Sequence, residues 1–258
     1  MKEIIYASIV ALFATTASAE MSFVNAGSEE GVFKQVLDII GTEVEHTFVQ
    51  ASTPINAATY FSDTPAFTVW SSEWPSNPEF NSPAITDANL VALLTYDTLM
   101  CSREFTSIDT MSGSTVKVAT WGSIAADKFL EKFGNEHNID FVVVPYDGSG
   151  ATAKGYIAGD ADTVFTITSK QAAIEEDTAT NCFAFSAAGD LDFKFVDAMV
   201  TVNADTVQTD QLRMVVTDVS STPEWTDTFS GSVTYVANGN NVTDLLLVYD
   251  TAVENFAQ

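Results

Sequence analysis

The sequence predicts an α/β fold built as layers of helices on mixed sheets. Three observations carry that expectation. Strand-like and helix-like runs alternate along most of the chain. Apolar residues make up 46%, enough to build packed cores. The 258 residues accommodate two domains comfortably.

The elements follow in order. Met21 to Asn25 reads as a strand. Val32, Phe33, Val36, Leu37 and Ile40 recur at helical spacing, and Gly41 stops that helix. Glu45 to Gln50 is a second strand, Ile55 to Phe61 a short helix, and Ala66 to Trp70 a third strand. Ser71 to Pro83 is rich in Ser, Asn and Pro and forms a loop. Leu90 to Cys101 is a long apolar stretch. Val116 to Thr120 is a strand, followed by a helix from Ile124 to Phe133 that ends at Gly134. Phe141 to Val144 is a strand closed by Pro145, Ala151 to Ala158 a helix, and Thr163 to Thr168 and Thr180 to Ser186 are strands. Leu245, Leu246, Tyr249, Ala252, Val253 and Phe256 share one helix face. No internal repeat and no low-complexity block interrupts this order.

Residues 1–19 read as a secretory signal. Lys2 gives a positive start, Ile4 to Ala14 is apolar, and Ala17-Ser18-Ala19 is a small-residue cleavage site, which puts the mature start at Glu20. The apolar run is too short to span a bilayer, which takes about 20 residues. The net charge of −25 survives that cleavage, because Lys2 and Glu3 cancel. Such a chain repels nucleic acid and anionic membrane surfaces. Export leads to an oxidising compartment, where Cys101 and Cys182 can either pair or stay as two small buried apolar side chains.

Several chemistries find no support. The two histidines, His46 in a strand and His137 in a polar turn, read as structural, and no C-x-x-C or H-E-x-x-H is present. No G-x-S-x-G, P-loop or G-x-G-x-x-G follows a strand, so no cofactor or metal is expected and an enzyme is disfavoured.

The segment from Lys117 to Ser169 is the most informative. Gly122-Ser123 opens a helix, Val144-Pro145-Tyr146-Asp147-Gly148 forms a turn before another helix, and Gly159-Asp160-Ala161-Asp162 is followed by Phe165. This order and spacing resemble the receptor proteins of tripartite tricarboxylate transporters, the Bug family. The resemblance extends more weakly to Asn25-Ala26-Gly27-Ser28-Glu29-Glu30-Gly31, to Val91–Thr95 and to Asp210–Trp225. Departures are visible too. Ser28-Glu29-Glu30 replaces a mostly glycine loop, the loop at Gly122-Ser123 is short, and Thr166 stands where many members carry a second Asp suited to a ligand amino group.

The resemblance implies a two-lobed periplasmic binding protein, type II-like, each lobe a mixed sheet flanked by helices, with two crossing strands at the hinge. Residues 20–101 and 187–258 would form lobe 1 and residues 102–186 lobe 2. It implies capture of a small organic carboxylate by a monomer, and delivery to the membrane permease subunits of a tripartite tricarboxylate-type transporter. The alternative is a sensor or host-interaction protein on the same fold. The ligand-binding set would be Ala26, Gly27, Ser28, Ser71, Ser72, Trp121, Gly122, Ser123, Tyr146, Gly148 and Asp162. Such a site suits an anion, because the first N–H groups of a helix lack partners and carry partial positive charge. It needs neither Arg103 nor Arg213, which lie outside these loops. The family's topology also sets the strands near Cys101 and Cys182 side by side, which makes the two a candidate disulfide.

Overall fold

The computed structural model describes residues 21–62, 64–176, 180–184 and 194–257. The expected signal segment lies outside them.

Among the described residues ten strands form two sheets that share one strand. In the first sheet β1 (Met21–Asn25) lies between β2 (His46–Gln50) and β3 (Ala66–Ser71), parallel to both. Such parallel neighbours need crossover helices. Helix α1 (Val32–Gly41) supplies the first crossover, and the short α2 (Pro54–Ala58) opens the second. β3 pairs antiparallel with β9 (Lys194–Val202), which pairs antiparallel with β4 (Leu90–Ser102). β10 (Ser232–Val236) lies on the other side of β4.

The second sheet starts on the same strand. Leu90 to Asp97 of β4 pair with β9, while Thr98 to Ser102 pair with β7 (Thr163–Ile167). Leu99 to Ser102 also pair with β8 (Asn181–Ala184). β7 is parallel to β5 (Thr115–Thr120), and β5 to β6 (Asp140–Pro145). The crossover helices are α3 (Ile124–His137) and α4 (Gly148–Ala158). α5 (Thr168–Glu176), α6 (Thr206–Val219), α7 (Pro223–Thr228) and α8 (Val242–Ala257) complete the chain.

Burial explains why β4 is long and apolar. All of its residues except Asp97 are buried, as expected for a central strand paired on both edges. Helix α1 sinks Val36, Leu37 and Ile40 completely, each worth roughly 1.5–3 kcal/mol of transfer free energy. Polar ends set the helix boundaries. Thr53 accepts from the Asn56 N–H to start α2, and Asp205 with Gln208 forms a full capping box on α6.

Cys101 and Cys182 are directly opposed on β4 and β8 and are joined by a disulfide, with Cα atoms 4.0 Å apart. The bond lies at the end of β4 that belongs to the second sheet.

Several expectations shift. α3 does not end at Gly134 but runs to His137, where Asn138 in the left-handed region closes it. Gly134 is needed for close approach: a Cβ there would sit 2.5 Å from the Ile139 carbonyl oxygen. His137 is therefore the last helical residue, stacked on Phe133 at 4.2 Å, and His46 stacks on Phe23 at 4.2 Å. Strand β10 escapes a sequence reading because its pattern is inverted, with Val233 and Tyr235 facing out while Thr234 accepts a hydrogen bond from the Trp225 indole N–H.

Candidate functional site

The loops that follow β1, β3, β5 and β6 converge on one cavity of about 690 Å³. All four leave carboxyl ends of strands, where ligands of open α/β sheets bind. The cavity is bounded by both sheets. Ala26, Gly27, Ser28 and Ser71 come from the first, and Trp121, Gly122, Ser123 and Gly148 from the second.

The helix starts are built for close approach. Gly122 and Gly148 have φ of +70° and +82°, a region that L side chains rarely adopt. A Cβ on Gly148 would stand 2.5 Å from Ser28 Oγ, so the two loops touch across the cleft. Ser123 caps α3 by accepting from the Ala126 N–H at 3.1 Å. No side chain caps α4 or α1, which leaves their first N–H groups to other partners.

Ser123 also donates to the Glu73 carboxylate across the cleft, and Lys154 of α4 pairs with Glu30. With the Ser28–Gly148 contact, these bonds hold the two sides together.

Three of the expected residues lie elsewhere. Ser72 is fully buried beside the cavity; its backbone N–H donates to Val196 O at 2.9 Å. Tyr146 packs against α4, so close that a Cβ on Gly155 would fall 2.2 Å from its ring, and its hydroxyl donates to Asp160 at 3.1 Å. Asp162 orients the second sheet instead, accepting from the Lys117 N–H at 3.1 Å. Thr166 is buried in β7 and is not among the residues that line the cavity.

Trp121 serves both as wall and as core. It lines the cavity and stacks on Phe165 at 5.0 Å. Neither arginine reaches the site. Arg103 binds the carbonyls of Tyr156 and Ile157 near the end of α4, and Arg213 binds Leu90 O and Asp87 O.

Sequence reasoning missed the acidic part of the lining: Glu73, Asp197 and the Tyr96 hydroxyl. Asp197 is 5% exposed. Burial first, then the charge of Glu73, pushes its carboxyl up to about 8, partly offset by the Ser71 and Tyr96 hydroxyls beside it. Glu73 is partly exposed, yet the surrounding protein displaces enough water to push its carboxyl up to about 7, against the favourable Ser123 hydroxyl and Trp121 indole. One signal was available. Asp197 is the single acid within Phe195–Val202, a run otherwise made of apolar residues and Thr201.

No protein-family model matches the sequence, and no curated protein matches it. Solved structures do. Rpa4515 of Rhodopseudomonas palustris, solved with adipate, superposes with a TM-score of 0.69 at 13% identity over 92% of this chain and 94% of that one. The periplasmic binding protein BugD gives 0.64 at 13% identity over 92% and 95%. MatC of R. palustris, solved with bound malate, gives 0.63 at 13% identity over 92% and 97%. The chain therefore has the two-lobed α/β fold of the periplasmic binding proteins. BugD, a member of the family its sequence resembles, shares that fold over nearly the whole of both chains.

Proposed function

We propose that the chain is a periplasmic solute receptor that captures a small organic carboxylate between its two lobes and delivers it to membrane permease subunits. The observation that carries this reading is the cavity itself, shared by loops of both sheets and lined by helix starts with glycines at the points of closest approach. Backbone N–H groups there favour an anion without an arginine. Rpa4515 and MatC, which share the fold and were solved with adipate and malate, support the same chemistry.

In this reading residues 20–101 and 187–258 form one lobe and 102–186 the other, with β4 as a crossing strand. The lobes close by a hinge motion, as binding proteins of this architecture do. The exported chain acts as a monomer in the periplasm. Among the described residues no helix is long and apolar enough to cross a membrane. BugD, which shares the fold, is a periplasmic binding protein, which fits a carrier rather than a catalyst.

Thermal-shift titration with mono-, di- and tricarboxylates tests the proposal. A ligand that binds only the native state raises the melting temperature by mass action, so saturable stabilisation is expected. Stabilisation by sugars alone would sink it.

A further inference from the structure

The first-sheet side of the cleft is acidic, a feature that a simple anion site does not need. The charged residues that line the cavity are Glu73, Asp147, Asp197 and Lys128. Three of the four are acids, and neither Glu73 nor Asp197 forms an ion pair among the described residues. Tyr96 adds a second observation. It is 1% exposed and lines the cavity, and its hydroxyl lies beside the Asp197 carboxyl without a well-aligned hydrogen bond. A ligand group on the floor can give that hydroxyl a well-aligned partner.

The walls near these acids are aromatic. Trp74 meets Phe33 edge-on at 5.1 Å, Trp121 meets Phe195 edge-on at 5.0 Å, and all four line the cavity. Ring faces attract cations through their quadrupole. A second ligand carboxylate would instead meet two carboxyls and electron-rich faces.

We propose that the floor made by Glu73, Asp197 and Tyr96 receives a cationic nitrogen, so that the cargo is a zwitterion. Its carboxylate sits at the helix starts and its amino or alkylated ammonium group on the floor. The carboxylate half rests on the function proposed above; the ammonium half stands on the floor alone.

Binding of such a cation returns both carboxyls to their charged form and releases protons. The titratable groups around them are few. Tyr96 comes from β4, Tyr249 from α8, Lys128 from α3 and Asp147 from the start of α4. The α1 and α2 residues at the cavity, Val32, Phe33 and Pro54, do not titrate. Tyr96 and Tyr249 are both raised further by burial and stay neutral. Tightening with rising pH between 6 and 8 therefore reports Glu73 and Asp197.

Isothermal titration of the purified protein tests the inference. Three matched series of four to eight carbons serve as probes: ω-amino acids and their trimethylated forms, dicarboxylates, and monocarboxylates. The best zwitterion should bind at least about tenfold tighter than the diacid and monoacid of its length, a gap equal to roughly 1.4 kcal/mol. It should also bind tighter at pH 8 than at pH 6. Asp197→Asn should erase that gap while sparing the diacid, and Tyr96→Phe should narrow it. Diacids that bind as tightly as zwitterions, and tighter at pH 6, would overturn the inference and leave the carboxylate reading standing. Amines that bind without a carboxylate would keep the acidic floor and overturn the carboxylate reading. No binding in any series would overturn both.

Discussion

The two sides of the cleft line it with different materials. On the second-sheet side the helix starts expose backbone. Gly122, Ser123 and Gly148 open α3 and α4 and bring their backbone to the cavity, with Trp121 as a wall beside them. On the first-sheet side the cavity is lined by side chains: Glu73 after β3, Tyr96 on β4 and Asp197 on β9. A backbone site is fixed in charge and insensitive to pH, because N–H dipoles do not titrate. On the floor proposed above, Glu73 and Asp197 are pushed up to about 7 and about 8, so such a site would respond to both pH and ligand. Only the second kind can distinguish ligands by a charge that changes.

The largest expected effect tests the mechanical difference between the sides. The second sheet is tied by Cys101–Cys182 across a sequence separation of 81 residues. Replacing both cysteines by Ala should cost about 4 kcal/mol in the chain-entropy model. For a chain of this size that lowers the melting temperature by roughly 8–16 °C. Calorimetry of the variant and of the reduced parent should agree; an unchanged melting temperature would refute the tie.

The next test separates strain from recognition on the backbone side. Gly148→Ala and Gly159→Ala both place an L residue at positive φ, at a cost of about 1–2 kcal/mol each. Only Gly148 faces Ser28; a Cβ on Gly159 meets nothing within 4 Å. Both variants should lose stability, Gly148→Ala the more because its Cβ displaces Ser28, whereas only Gly148→Ala should lose ligand affinity, by about tenfold or more, equal to roughly 1.4 kcal/mol. Equal loss of affinity in the two would place the site elsewhere.

The acidic side predicts a pH dependence with a definite sign. Folding raises Glu73 from 4.5 to about 7 and Asp197 from 3.8 to about 8. Between those limits the folded state binds more protons than the unfolded one, so the stability of the ligand-free protein falls as pH rises from about 4 to about 8. Asp197→Asn should flatten that slope in denaturant titrations, and Gly122→Ala should leave it intact. A slope unchanged in Asp197→Asn would remove this carboxyl from the account.

The smallest effect belongs to the pair that bridges the sides at the surface. Lys154 and Glu30 are both exposed, so water screens their attraction. Lys154→Ala should leave the melting temperature unchanged within error and weaken ligand binding by about twofold or less. A larger loss would make the pair a true latch for closure.

The two sides also differed in how readable they were. Glycine and serine at the ends of strands suit a backbone site, and Gly27, Ser28, Gly122, Ser123 and Gly148, singled out for that reason, line the cavity. Tyr146 and Asp162 belong to the same motifs, yet one covers Gly155 and the other holds Lys117. Motif membership records neighbourhood in the chain, and only packing sets the direction of a side chain. Glu73 and Asp197 were lost among 35 acidic residues, since nothing local marks an acid that will be buried.

The sequence by itself determined the alternation of elements, the helix caps and the loops able to approach a ligand closely. Each of these rests on interactions within a few residues: apolar spacing along one face, a hydroxyl reaching the next turn, a glycine at positive φ. Tertiary structure alone decided that β4 serves two sheets and that Cys101 opposes Cys182. It also brought acids 124 residues apart in the chain to one cavity floor, Glu73 and Asp197. Those outcomes depend on long-range strand register and on the water excluded when two lobes meet, and no short window of sequence contains either.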